Sequence, residues 1–131
     1  IIRGREMIGF NHLGHLGRLG NQMFEFAALR GIAANRGYDI CIPSPENKGI
    51  ENYSLHECFK LDHIPIGFVA GDKYVQEEHF HFNQKLFDTC PDDVSLYGFF
   101  QSEKYFKNVS DKIREDYTFH DEYLEPCKEF I

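Results

Sequence analysis

The chain has 131 residues, 42% of them hydrophobic, which suffices for the core of one domain. It has 14 lysines and arginines and 21 aspartates and glutamates, which give a net charge of −7. No basic stretch with interleaved aromatic residues is present, so nucleic acid is not an expected partner. No apolar run reaches the roughly 18 residues of a membrane span, and the N-terminal sequence IIRGREMIGF lacks the layout of a signal peptide.

These features predict a cytoplasmic protein, with a peripheral position on the inner face of a membrane as an alternative. The chain begins without a Met, and its last residues, LEPCKEFI, end within a helix-like pattern. We therefore expect the sequence to be a piece of a longer protein.

Cysteine and histidine spacing gives no metal-binding signature. The cysteines are separated by 17, 32 and 37 residues, without a Cys-x-x-Cys, so a zinc knuckle is not expected and four reduced, buried thiols are. His12 and His15 could suggest a metal pair, but strand-plus-turn geometry would point them apart. The four cysteines are Cys41, Cys58, Cys90 and Cys127.

The first third of the chain predicts a strand, a helix and a second strand. MIGFNHL (7–13) is typical of a buried strand, and Asn21 is a suitable N-cap for the following helix, which Gly37 would terminate. YDICIP (38–43) then predicts the second strand. Such a βαβ unit has parallel strands and a right-handed crossover, so we expect an α/β fold.

The later segments continue this alternation. SLHECFKL from Ser54 indicates a short helix, and SLYGFF (95–100) a strand. Ser102 can cap a helix through EKYFKNVSDKIRED, with its buried side marked by Phe106, Val109 and Ile113. Ligands of open α/β sheets sit at the carboxyl ends of strands, so the strand-to-helix corners at 14–21 and 98–102 are the candidate sites.

The first corner has two interpretations. Gly14, Gly17 and Gly20 match neither the dinucleotide nor the Walker pattern. A helix N-terminus still offers unpaired amides, glycines allow a ligand to approach the backbone, and Arg18 adds a cation, which together would suit a nucleotide diphosphate. Alternatively, the glycines only make the turn.

Two blocks of the sequence carry a resemblance to a known family. GRLGNQMF (17–24) resembles the amino-terminal signature of glycosyltransferase family eleven, the α-1,2-fucosyltransferases. GFFQSEKYF (98–106), the second block, is similar to a later segment of bacterial members, and the likeness continues in IREDYTF (113–119). The likeness spans most of residues 7–131.

The resemblance implies a GT-B enzyme with two Rossmann-like domains. Residues 7–131 would be the N-terminal, acceptor-side domain, without the C-terminal GDP-fucose domain. Such an enzyme transfers L-fucose from GDP-fucose to the 2-hydroxyl of a terminal galactose with inversion, needing neither a metal nor another cofactor. Carried over, Arg18, Gly20 and Asn21 would contact the donor, and a galactose-terminated glycan would be the acceptor.

Three residues of the second block, Gln101, Ser102 and Tyr105, could touch the acceptor sugar, although capping also explains Ser102 and packing also explains Tyr105. No catalytic base can be assigned.

The sequence also departs from the family. Glu25 and Phe26 stand where the family usually has Gln and Tyr, and the His-x-Arg-Arg-x-Asp motif that grips GDP-fucose is missing from these residues, whose six arginines include no adjacent pair. We therefore expect the chain to be inactive alone. The alternative is a non-catalytic α/β module whose Gly17–Asn21 loop holds a nucleotide or phosphosugar, or a remnant without ligand.

Overall fold

The computed structural model describes residues 6–13, 19–44, 55–69, 73–77 and 81–118. Two short 3-10 turns, Glu103–Tyr105 and Lys107–Val109, separate the last strand from the last helix. None of the helices in these ranges is long and apolar enough to cross a membrane. The strands and α-helices follow in the order β1 (Met7–Gly9), α1 (Leu19–Arg36), β2 (Asp39–Cys41), α2 (Leu55–Cys58), β3 (Tyr74–Gln76), α3 (Gln84–Thr89), β4 (Val94–Tyr97) and α4 (Ser110–Asp116).

The four strands form one parallel sheet in the order β2-β1-β4-β3. In its register, Ile8 of β1 lies opposite Ile40 of β2, and Gly9 of β1 lies opposite Ser95 of β4. Helix α1 connects β1 to β2 and packs against both. The prediction of an α/β fold is therefore confirmed, and a parallel sheet with packed helices is consistent with a Rossmann-like domain.

Helix α1 begins earlier and ends where the sequence predicted. It starts at Leu19, which is buried, so Asn21 lies within the first turn and the prediction of Asn21 as N-cap is wrong. At the other end Gly37 adopts a φ of 77°, and the Tyr38 amide donates to the Ala33 carbonyl at 2.8 Å. A glycine in the left-handed region closes the helix without strain.

Strand β1 is shorter than predicted because the chain turns at Asn11. The Asn11 side chain donates to the Val69 carbonyl at 2.9 Å and accepts from the Val69 amide at 2.8 Å. These two hydrogen bonds hold the segment that contains Val69 next to the end of β1. Gly9 leaves room for that segment, since a Cβ there would lie 2.7 Å from a methyl group of Val69.

The helix predicted through residues 103–116 is broken into the two 3-10 turns and α4. Ser102 does cap the first turn, since its hydroxyl accepts from the Lys104 amide at 3.3 Å. The break accompanies close packing on α1: a Cβ at Gly31 would lie only 1.7 Å from the Tyr105 carbonyl oxygen. Val109 in the second turn and Ile113 in α4 are buried, as predicted, whereas Phe106, between the two turns, is only partly buried.

The core lies between the sheet and the helices. One of its three described cysteines differs from the prediction. Cys41 and Cys90 are free and buried, as expected, but Cys58 is disulfide-bonded, so the prediction of a reduced thiol there is wrong, and Cys127 lies outside the described residues. Pairing requires two Cα atoms within about 7 Å, which spacing along the chain does not reveal. The largest fully buried side chains include Phe10, Phe26, Phe59, Phe100 and Tyr105.

Candidate functional site

The described residues of the two predicted corners, 19–21 and 98–102, meet near the carboxyl edge of the sheet. Strands β1 and β4 are parallel neighbours, so the segments that follow them leave the same edge side by side. There the Gln101 side-chain amide donates a hydrogen bond of 2.6 Å to Asn21 Oδ1, across 80 positions of sequence. The structure therefore brings together one residue predicted for the donor side and one predicted for the acceptor side.

The backbone at Gly20 is accessible. A Cβ added to Gly20 would meet no atom within 4 Å in the described structure, and the residue is exposed in the first turn of α1. A helix N-terminus has unpaired amides and a partial positive charge, so an anion can approach the backbone here. Arg18, the predicted cation of the site, lies outside the described residues, as do Gly14 and Gly17.

Ser102 and Tyr105 have structural partners. The Ser102 hydroxyl caps the 3-10 turn, and Tyr105 is fully buried, with its hydroxyl accepting from the Asn83 amide at 2.9 Å. Its ring packs between Phe82 and Phe100, at centroid distances of 4.8 and 5.2 Å. In this conformation Tyr105 supports the second corner from within the core, and Gln101 is the side chain that faces solvent.

Glu77, to which no sequence pattern pointed, holds the second corner. Its Oε1 accepts from the Phe99 amide at 3.1 Å and the Phe100 amide at 3.2 Å. The backbone there is unusual, with φ of 147° at Gly98 and 49° at Phe100. A Cβ at Gly98 would also lie 2.5 Å from the Cβ of Glu77. The sequence could indicate a turn at Gly98, but not the role of Glu77, because Glu77 follows β3 and is distant from the corner along the chain.

Glu25 is a buried acid near the same corner. It is fully buried in α1, and neither carboxyl oxygen has a hydrogen-bond partner among the described residues. Burial, and to a lesser extent the negative charge of Glu77, raise the pKa of Glu25 to about 9. Glu25 is therefore protonated and neutral at pH 7. The Gln that the resembled family usually has at this position is neutral too and has nearly the same shape.

A second polar cluster lies away from this edge. Arg30 donates to the Asp116 carboxylate from Nε at 2.8 Å and from Nη2 at 3.1 Å, and His63 Nε2 lies 2.7 Å from Asp116 Oδ1. Because the Asp116 side chain is buried, the cluster ties α1 to α4. A cavity of about 290 Å³ beside Arg30 adjoins the amino ends of β1 and β2, the edge opposite the predicted site. Its lining includes Met7, Ala33, Asp39, Val109 and Lys112.

Within the described ranges, no group of three or more His, Cys, Asp or Glu side chains is arranged to hold a metal ion.

Comparison with known proteins finds distant relatives. No protein-family model and no solved structure matches the chain. An alpha-1,2-colitosyltransferase of Escherichia coli is 27% identical in an alignment that covers 78% of this chain and 42% of that protein. The galactoside alpha-(1,2)-fucosyltransferase 2 of Gorilla gorilla gorilla is 24% identical, and that of Sus scrofa 25%, each over 96% of this chain and 36% of the relative.

The chain thus spans about two fifths of the length of the curated relatives it matches. The similarity indicates a distant, fucosyltransferase-like relationship and supports a glycosyltransferase-like function.

Proposed function

We propose that the chain is the acceptor-side part of an inverting GT-B glycosyltransferase that moves L-fucose from GDP-fucose to the 2-hydroxyl of a terminal galactose. The name of one group of relatives, galactoside alpha-(1,2)-fucosyltransferase, supports fucose as the transferred sugar and a galactoside as the acceptor. The parallel sheet supports a Rossmann-like domain as the scaffold.

One observation carries the proposal: the hydrogen bond between Asn21 and Gln101. Each residue belongs to one of the two sequence blocks that resemble α-1,2-fucosyltransferases. The fold places both at the carboxyl ends of adjacent parallel strands, where α/β sheets bind their ligands. A chance resemblance would give no reason for two distant blocks to form one surface.

The donor side of this surface would be built from Arg18, Gly20 and Asn21. Exposed amides at the start of α1 would stabilise the phosphates of GDP, and Gly20 would let them approach the backbone. Arg18 would stabilise the charge that develops on the departing GDP, an electrostatic task that other enzymes give to a metal ion. We therefore propose that transfer requires no metal.

The acceptor side would be built around Gln101, which is exposed. Its amide can both donate to and accept from a sugar hydroxyl. Ser102 and Tyr105 would act on the acceptor mainly by fixing the backbone that carries Gln101, through the cap and the core packing already described.

Titration of the chain with GDP, followed by two-dimensional amide NMR, tests the donor contacts. We expect saturable shifts at Gly20, Asn21 and Gln101. Gly20→Ala is the sharpest variant, because the structure has room for its methyl group and alanine favours a helix by about 1 kcal/mol over glycine. It should keep or increase thermal stability while weakening GDP binding. Asn35→Ala, which removes an exposed hydrogen bond at the far end of the same helix, is the matched control.

The outcomes separate the alternatives. GDP shifts that persist unchanged in Gly20→Ala would contradict the close approach of phosphate to this backbone. GDP binding together with measurable fucose transfer by this chain alone would contradict the proposal that it is inactive in isolation. A failure of GDP to shift any of the three residues would contradict the donor contacts proposed for this corner.

A further inference from the structure

Three aromatic side chains form a cluster on the surface of the sheet. The His12 ring centroid lies 5.6 Å from that of Tyr74 and 5.3 Å from that of Tyr97, and the two tyrosine rings are 6.5 Å apart. Tyr74 is 45% exposed, and the other two are partly exposed. His12, Tyr74 and Tyr97 are called the aromatic cluster below.

The register of the sheet explains why these rings meet. Tyr74 of β3 lies opposite Ser95 of β4, and Tyr97 follows Ser95 by two positions. The side chains of both tyrosines and of Ser95 therefore face the same side of the sheet. Val75 and Leu96, the residues between them, face the core on the other side. The cluster therefore occupies the sheet face opposite the main core.

The turn that carries His12 is anchored. The Asn11 amide donates to the Ser95 hydroxyl at 2.8 Å, and the Asn11 side chain pairs with the backbone of Val69. His12 Nε2 also lies 3.4 Å from the Tyr74 hydroxyl. The rings are thus held in place before any ligand arrives, which lowers the entropy cost of binding.

The cluster lies beside the strand ends that lead to the proposed site. His12 is the third residue after the end of β1, and Tyr97 is the last residue of β4. The segments that follow these two strands lead to Asn21 and Gln101. A sugar resting on the cluster would therefore lie on the sheet face opposite the main core, next to the strand ends from which the proposed site is built.

The chemistry of the cluster suits a galactose ring. The axial 4-hydroxyl of galactose leaves the hydrogens on carbons 3, 4 and 5 together on one apolar face, surrounded by hydroxyls. Tyrosine and histidine rings offer an apolar face together with polar atoms that can hydrogen-bond such a rim. We propose that the aromatic cluster is the platform on which the terminal galactose of the acceptor stacks, an inference that rests on the proposed function.

Aromatic NMR of the whole chain, titrated with methyl β-D-galactoside and separately with methyl β-D-glucoside, tests the platform. We expect saturable shifts of the Tyr74 and Tyr97 ring signals with the galactoside and weaker binding of the glucoside. Tyr74→Ala, at the start of an edge strand, should weaken galactoside binding about tenfold, whereas Tyr74→Phe should retain most of it. Phe24→Ala removes an exposed aromatic ring outside the cluster and should change nothing.

Several results would overturn the inference. Unmoved tyrosine signals at about 100 mM galactoside, far above a Kd of about 1 mM, would refute the platform. So would wild-type affinity in Tyr74→Ala. Equal binding of the glucoside would refute the commitment to galactose. The GDP titration tests the proposed function separately. GDP shifts at Asn21 without galactoside shifts at Tyr74 would refute the platform alone. Galactoside shifts at Tyr74 without GDP shifts at Asn21 would refute only the donor contacts.

Discussion

Replacing Glu25 by Gln should change how the stability of the protein depends on pH. The Glu25 side chain is fully buried, and its pKa in the folded protein is about 9, compared with an ordinary value of 4.5. Between these two pH values the folded chain holds a proton that the unfolded chain releases. Folding is therefore favoured by this group at low pH, and that contribution is lost as the pH rises towards 9.

The size of the effect follows from the proton balance. One pKa unit corresponds to about 1.4 kcal/mol, so the wild type should lose about 4 kcal/mol of unfolding free energy between pH 5 and pH 8 through this residue. Gln has nearly the same shape as protonated Glu and does not titrate. Glu25→Gln should be about as stable as the wild type at pH 5 and clearly more stable at pH 8.

Thermal unfolding of both proteins at half-unit pH steps measures this difference. In a domain of this size 1 kcal/mol moves Tm by roughly 4 °C, so the gap between the two Tm values should widen by about 15 °C from pH 5 to pH 8. Glu115→Gln, at an exposed position in α4, is the control and should run parallel to the wild type. Parallel curves for Glu25→Gln would show that Glu25 is ionised in the folded protein and would refute the argument.

Two further substitutions test the packing around α1. Gly31→Ala should destabilise the protein by about 2 kcal/mol in urea unfolding, despite the better helix propensity of alanine, because its methyl group would overlap the backbone of the first 3-10 turn. The same change at Gly20 should cost nothing. Equal effects of the two substitutions would contradict the close approach of this turn to Gly31. Arg30→Leu should lower the free energy of unfolding by about 3–5 kcal/mol, because it leaves the buried Asp116 without its bidentate partner. The control Arg114→Leu, at an exposed position, should be almost neutral. A loss below about 1 kcal/mol for Arg30→Leu would show that Asp116 does not depend on that pair.

The parts of the fold that depend on local sequence could be predicted. The βαβ unit followed from the strand pattern, the apolar helix face and Gly37, all of which act within a few residues of one another. The position of both corners at the carboxyl ends of strands also followed from the sequence, because each comes directly after a predicted strand. That the two corners meet, through the hydrogen bond between Gln101 and Asn21, is a finding of the structure, since the sequence did not show that β1 and β4 are neighbours.

The parts that depend on long-range contacts could not be predicted. The helix expected at residues 103–116 has the right periodicity, yet it is broken where its backbone packs against Gly31. Asn21 has the residue type of an N-cap, but helix α1 extends two residues further towards Leu19, and the Asn21 side chain binds Gln101 instead. In each case a contact with a distant segment overrides the local preference.

The same contacts explain how the site is held together. The two 3-10 turns that follow the second corner are attached to α1 at Gly31, where the Tyr105 backbone approaches closely and the Asn108 side-chain amide donates to the Gly31 carbonyl at 3.2 Å. The corner itself is attached to the end of β3 by Glu77, which accepts from two backbone amides of the corner. Since α1 also carries Asn21 at its first turn, the two halves of the proposed site are fixed to one helix. A neutral group at position 25 fits this arrangement, because a second buried negative charge near Glu77 would oppose the packing that sets the position of Gln101.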